Sequence, residues 1–165
     1  MYKRKGVILE PLIHGGASTT IYRSGTPALA LAGAAELALQ LALEQLPAWR
    51  DTVQHWNTLL REQLARYPKV RINSPQHAVP HILNLSVQGV RGTAFQQALD
   101  RQGICVSVKS ACSVPDTPSR AVFAVSRDRK QALSSWRVSL SHLTTQEEID
   151  QFLSAFETCY KELTA

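Results

Sequence analysis

Trp136-Arg137-Val138-Ser139-Leu140, followed shortly by Thr144-Thr145-Gln146-Glu147-Glu148-Ile149-Asp150, reads as a β-strand feeding an α-helix. Trp and Val suit a pleated, half-buried surface. Two overlapping capping boxes, Thr144 with Glu147 and Thr145 with Glu148, predict the helix start: the hydroxyl accepts an orphan amide and the carboxylate returns to the cap. Ile149, Phe152, Phe156, Tyr160 and Leu163 then recur every three or four residues and form one apolar face. A strand beside a one-faced helix predicts a layer of sheet covered by helices.

Upstream, Val70-Arg71-Ile72, His81 to Val87 and Ile104 to Val108 are rich in Val and Ile and predict three more strands. Gly92 to Gln102 and Ser119 to Val125 read as helices between them. Before Pro68 the period changes. Trp49, Val53, Trp56, Leu60, Leu64 and Tyr67 are spaced as one helical face. The Ala- and Leu-rich stretch to Leu46 predicts a helix buried on most sides, with Thr26 as N-cap and Pro27 in its first turn. Pro47 is expected to break or kink the run. Gly6 to Ile13 reads as a short strand ending in the turn His14-Gly15-Gly16. The fold class is α+β: an antiparallel-rich sheet of about four strands covered by helices, preceded by long connecting helices.

The chain has 165 residues, 44% apolar and 19% charged, which fits one sizeable core and excludes disorder, collagen and coiled coil. No run of about 18 uncharged apolar residues occurs. Pro27 to Leu43 comes nearest but carries Glu36 and Gln40, so no membrane span is expected. The basic start, Met1 to Lys5, lacks the long apolar region and cleavage site of a signal peptide. Eighteen Lys and Arg against thirteen Asp and Glu give a net charge of +5. The cations are scattered and no aromatics interleave them, which suits an anionic ligand or acidic protein better than nucleic acid. Three cysteines, with no paired or metal-like spacing, point to a reducing, cytoplasmic setting and no metal site.

Cys112, among Ser110, Ala111 and Ser113 in a loop running to Pro118, is a candidate nucleophile, with an inert thiol as the alternative. Cys105 and Cys159 lie among apolar neighbours and read as small core residues. Arg137 interrupts an apolar strand. It is expected either to clasp an anion through paired hydrogen bonds or to pair with Glu147 or Asp150. Ser24, Gly25 and Thr26 at an expected helix N-terminus offer amides and hydroxyls to a phosphate.

Taken in order, His14-Gly15-Gly16, Arg23-Ser24-Gly25-Thr26-Pro27, Pro80-His81-Ile82-Leu83-Asn84-Leu85-Ser86, Ser110-Ala111-Cys112-Ser113, Pro118-Ser119, Trp136 to Leu140 and Thr144 to Asp150 resemble the C-terminal portion of a cysteine desulfurase. The resemblance is to the NifS-like group of class V aminotransferase-like, fold type I pyridoxal-phosphate enzymes. It implies that Cys112 takes sulfur from L-cysteine as a persulfide, leaving alanine, and that Arg137 binds the substrate carboxylate. It places Thr26, with Ser24 and Gly25, at the cofactor phosphate of the other subunit of a homodimer, and His14 near the substrate. A sulfur-acceptor or scaffold protein in iron–sulfur or thio-cofactor assembly is the implied partner.

Ala17, Lys109 and Ser141 stand where the family usually has glycine. The family's Schiff-base lysine precedes the segment matching Met1 to Gly6, so Lys3 and Lys5 do not take that role, and the chain alone is expected to be inactive. The implied organisation is 1–26, a large-domain edge and phosphate loop; 27–67, connecting helices; and 68–165, the small C-terminal domain. A stand-alone sulfur carrier or interaction module using Cys112, and a basic adaptor for acidic partners, are the alternatives.

Overall fold

The computed structural model describes residues 3–16, 20–109 and 117–165. It divides into two compact units, Met1–Gln45 and Leu46–Ala165, each described by itself.

The second unit holds the sheet. Strands β1 (Val70–Ile72), β2 (Ile82–Val87) and β3 (Ser135–Ser139) pair antiparallel in the order β1-β2-β3. The register sets Ile72 opposite Leu85, and Asn84 opposite Arg137. The expected fourth strand, Ile104 to Val108, is reduced to one bridge between Ser107 and Arg137. Only Ser107 finds a ladder partner, so the rest of the segment runs along an open edge.

Leu83, Leu85 and Val87 alternate along β2 onto the core face, as period two requires. Helix α2 (Gly92–Asp100) and helix α5 (Gln146–Thr164) cover that face. Phe95 stacks on Trp136 at 5.0 Å, and Phe156 lies 5.2 Å from Phe95. Such fully buried aromatic and aliphatic side chains contribute roughly 2 kcal/mol each. A Cβ at Gly92 would collide with the main-chain oxygen of Ser135, so glycine lets α2 start hard against β3. The Thr145–Glu148 capping box is present in full, while Thr144 instead accepts from the Ser141 amide.

Helix α1 runs unbroken from Leu29 to Leu64. It contradicts the expected division at Pro47: the proline deletes one backbone bond, to the Leu43 carbonyl, without ending the helix. Nor is Thr26 the N-cap. The first helical residue is Leu29, whose amide donates to the Pro27 carbonyl. From Leu46 onward α1 buries Val53, Asn57, Leu60 and Leu64 against the second unit's core. Trp56 Nε1 donates to the Thr144 carbonyl at 3.0 Å, and Trp49 stacks on His142 at 4.0 Å. These contacts fasten the helix to the turn after β3.

In the first unit the leucines of α1 are exposed, contrary to the burial expected of so apolar a helix. By length and composition alone α1 could cross a membrane. The expected strand over Gly6 to Ile13 is absent, because no described segment pairs with it and an isolated strand leaves its ladder unsatisfied.

Two short helices complete the second unit, α3 (Arg120–Ser126) and α4 (Arg129–Leu133). Ser119 caps α3 by accepting from the Val122 amide, and the Asp128 carboxylate caps α4.

Candidate active site

A cleft of about 1000 Å³ opens in the second unit on the polar face of β2 and β3. One wall is the Asn73–Pro75 turn and another is α3 with its cap. Lys109, Arg120 and Arg137 line it, and no described lining residue is a carboxylate. The cleft therefore favours an anion.

Arg137 is held by backbone bonds on its bridge to Ser107, at 2.7 and 3.1 Å. Its side chain is half-buried, and its Nε is fully shielded from water with no acceptor among the described residues. Leaving a buried donor unmatched costs about 1–3 kcal/mol, so the position calls for an acceptor. Neither Glu147 nor Asp150 supplies one. Asp150 instead accepts from Gln146 at 2.8 Å. Of the two sequence readings for Arg137, the geometry favours anion binding.

Cys112 lies outside the described residues. Its nearest described neighbours in the chain, Lys109 and Thr117, both line the cleft, and the Lys109 ammonium donates to the Thr117 carbonyl and hydroxyl at 3.0 and 3.2 Å. The segment that carries Cys112 thus begins and ends at the cleft that holds Arg137. Of the other thiols, Cys159 is buried on α5 as expected, and burial pushes its pKa up. Cys105 is exposed, which corrects the core reading. Ile104 and Val106 pack inward, so alternation turns Cys105 outward at the open edge.

Sequence reasoning missed the groups that hold the cleft wall. Asn57 on α1 donates to the Pro80 carbonyl at 2.9 Å and accepts from Arg61 Nε at 2.7 Å. The same guanidinium reaches the Ser74 and Pro75 carbonyls at 2.8 and 3.1 Å. Burial lowers the Arg61 pKa, yet three charge-assisted bonds keep it cationic. The signal was an Asn–Arg pair four residues apart on an otherwise apolar helix face. Missed too was the polar face of β2, where Asn84 and Ser86 follow Ile82 at period two.

In the first unit, His14, Ser24, Gly25 and Thr26 come from two turns. The Ser24 amide donates to the Ile13 carbonyl at 3.3 Å, and a Cβ on Gly15 would press on Ser24 at 3.1 Å. Gly25 sits at φ +111°, with the Arg23 guanidinium folded over it. His14 and Thr26 are exposed, and Thr26 precedes α1 rather than capping it. No cluster of metal-ligating side chains occurs among the described residues.

Residues 12–152 match the family model described as aminotransferase class-V. The chain is 34% identical to a cysteine desulfurase of Cereibacter sphaeroides, over 100% of this chain and 43% of that protein. It is 32% identical to a NifS/IcsS protein homolog of Lactobacillus delbrueckii subsp. bulgaricus, over 99% and 43%. Among solved structures, a NifS-like protein superposes with a TM-score of 0.77 at 30% identity, over 99% of this chain and 41% of the other. A NifS-like protein from Rickettsia africae gives 0.78 at 27% identity, over 94% and 41%. The chain spans about two-fifths of the length of these relatives. A family match running from residue 12 to residue 152, over an α+β unit with an anion-seeking cleft, makes this chain a member of the aminotransferase class-V family.

Proposed function

We propose that this chain is the C-terminal part of a pyridoxal-phosphate-dependent cysteine desulfurase. The observation that carries the proposal is the cleft: an unmatched Arg137 donor shares it with both described ends of the segment bearing Cys112. The Arg137 guanidinium holds the α-carboxylate of L-cysteine. The Cys112 thiolate attacks the substrate sulfur, the carbon–sulfur bond breaks with its electron pair staying on carbon, that carbon takes up a proton to give alanine, and Cys112 is left as a persulfide. A thiolate is the right nucleophile because it is soft and available near neutral pH.

Pyridoxal phosphate, when bound, supplies the electron sink that weakens bonds around the substrate's amino carbon. The first unit fits its phosphate group. Gly15 lies close against Ser24, and the Arg23 guanidinium over the side-chain-free Gly25 sets a positive charge beside the Ser24 and Thr26 hydroxyls. Ser24, Gly25 and Thr26 would hold that phosphate, and His14 would stand beside the substrate. Residues 1–26 then serve as the phosphate loop and large-domain edge, 27–67 as connecting helices, and 68–165 as the small domain. The lysine that anchors the cofactor belongs to the part of the relatives that this chain does not match, so the chain alone is inactive. The complete enzyme works as a cytoplasmic homodimer, handing sulfur to an acceptor protein for iron–sulfur or thio-cofactor assembly.

The test is made in the full-length protein that carries this sequence. Cys112→Ser abolishes alanine production from L-cysteine while cofactor absorbance persists, and Arg137→Ala raises KM by roughly tenfold or more through the lost paired hydrogen bonds. Undiminished turnover in Cys112→Ser would overturn the proposal.

A further inference from the structure

Three polar side chains that line the cleft, Asn73, Asn84 and Gln131, and the buried Ser86 beside them form one directed hydrogen-bond relay. Ser86 Oγ donates to the main-chain carbonyl of Gln131 at 2.9 Å. That carbonyl can only accept, so the hydroxyl proton is committed to it. Ser86 Oγ must then accept from Asn73, whose Nδ2 lies 2.8 Å away. This fixes the Asn73 amide. Its Oδ1 takes the Gln131 Nε2 proton at 2.6 Å, and its second Nδ2 proton goes to Asn84 Oδ1 at 2.7 Å. The Asn84 amide is therefore fixed as well, with its oxygen consumed and its Nδ2 left over. No described group accepts from that Nδ2.

Asn84 also stands directly opposite Arg137 in the β2–β3 register, on the same face, and both line the cleft. Two neighbouring donors, an amide and a guanidinium, cannot satisfy one another. The Asn84 backbone is doubly anchored: its amide donates to the Ser74 hydroxyl at 2.9 Å, and its carbonyl accepts from the amides of Asn73 and Ser74. A rigid pair of donors about 5 Å apart at Cβ matches the two oxygens of one carboxylate.

We infer that Asn84 Nδ2 is a second donor to the carboxylate held by Arg137, and that Ser86, Asn73 and Gln131 are positioning residues that dictate which end of the Asn84 amide faces the ligand. The ligand class is an α-amino-acid carboxylate. The inference rests on the reading of Arg137 given above.

The test titrates the full 165-residue chain with L-alanine, and separately with L-alaninamide, which lacks the carboxylate, following the Asn84 side-chain amide by NMR. L-Alanine moves the Asn84 Nδ2 protons downfield and L-alaninamide does not. Asn84→Leu, close in volume, weakens L-alanine binding about tenfold, the worth of one charge-assisted bond. Asn84→Asp keeps the acceptor for Asn73 but sets an anion beside Arg137, and abolishes binding. Ser86→Ala frees the relay's polarity and weakens binding about threefold. A merely structural relay would lower thermal stability in these variants while leaving the preference for L-alanine over L-alaninamide intact. Folded Asn84→Leu or Asn84→Asp protein with that preference unchanged overturns the inference. If Arg137→Leu alone abolishes binding, only the role of Asn84 fails. If Arg137→Leu also leaves binding intact, or the unmodified chain shows no saturable L-alanine binding, the reading of Arg137 fails and takes this inference with it.

Discussion

The two ends of α1 meet opposite fates, and the end richer in apolar residues is the one left exposed. From Leu46 on, Val53, Asn57, Leu60 and Leu64 repeat every three or four residues and are buried. Before Gln45 the leucines at 29, 31, 37, 39, 41 and 43 repeat mostly by two, which scatters them around the helix, and all are exposed. Content says how strongly a helix is driven to bury itself, while spacing says whether one neighbour suffices. A single-faced segment is satisfied by one packed layer. A segment apolar on all sides needs cover from several directions, and the described residues of its unit provide none. Glu36 and Glu44 on that surface make a lipid-embedded position costly, so protein cover is the better match.

The contrast can be broken or sharpened by substitution. Phe156→Ala, which empties the aromatic centre of the second unit, should cost about 4 kcal/mol in urea unfolding. A loss under about 1 kcal/mol would mean that the unit's packing is not what holds it. Gly92→Ala should cost about 1–3 kcal/mol by the same measurement, because the new methyl meets backbone that cannot swing aside.

Alkaline pH gives a smaller effect. Burial raises the pKa of Cys159 and, with Glu157 nearby, of Tyr67. Each folded-state value lies above its unfolded one, so this stability is fully present below the ordinary thiol and phenol values and is lost as pH rises through the raised ones. Melting temperature should fall above about pH 9, less steeply in Cys159→Ala. A flat profile from pH 8 to 10.5 would count against burial of both groups. Smallest of all, Leu37→Ser on the scattered surface should change unfolding free energy by less than about 0.5 kcal/mol and improve solubility. A penalty like that of Phe156→Ala would show that the first unit covers its own leucines.

Legibility in the sequence tracked how local the determining physics is. The Thr145–Glu148 capping box and the face of α5 were readable because cap and period are written within a few residues. The division between α3 and α4 was not: Arg127 adopts φ +56° where a glycine would ordinarily announce the stop, and α4 has only five residues. The strand expected at Gly6 to Ile13 and the core position expected for Cys105 failed for a shared reason. Strand formation depends on a partner that local composition does not name. At the site, Arg137 was legible as a costly cation in an apolar strand, whereas its pairing with Asn84 is set by long-range register.

That register also bears on how the site tolerates evolution. Roughly fifty residues separate Asn84 from Arg137 along the chain, so the donor pair exists only once a long loop has closed. Closure entropy grows with the logarithm of loop length, about 0.6 kcal/mol for each doubling. The stretch between Val108 and Pro118 can therefore lengthen or shorten at little thermodynamic cost to the Asn84–Arg137 pair. A lineage can change the length of the segment that carries Cys112 while leaving the Asn84–Arg137 pairing untouched.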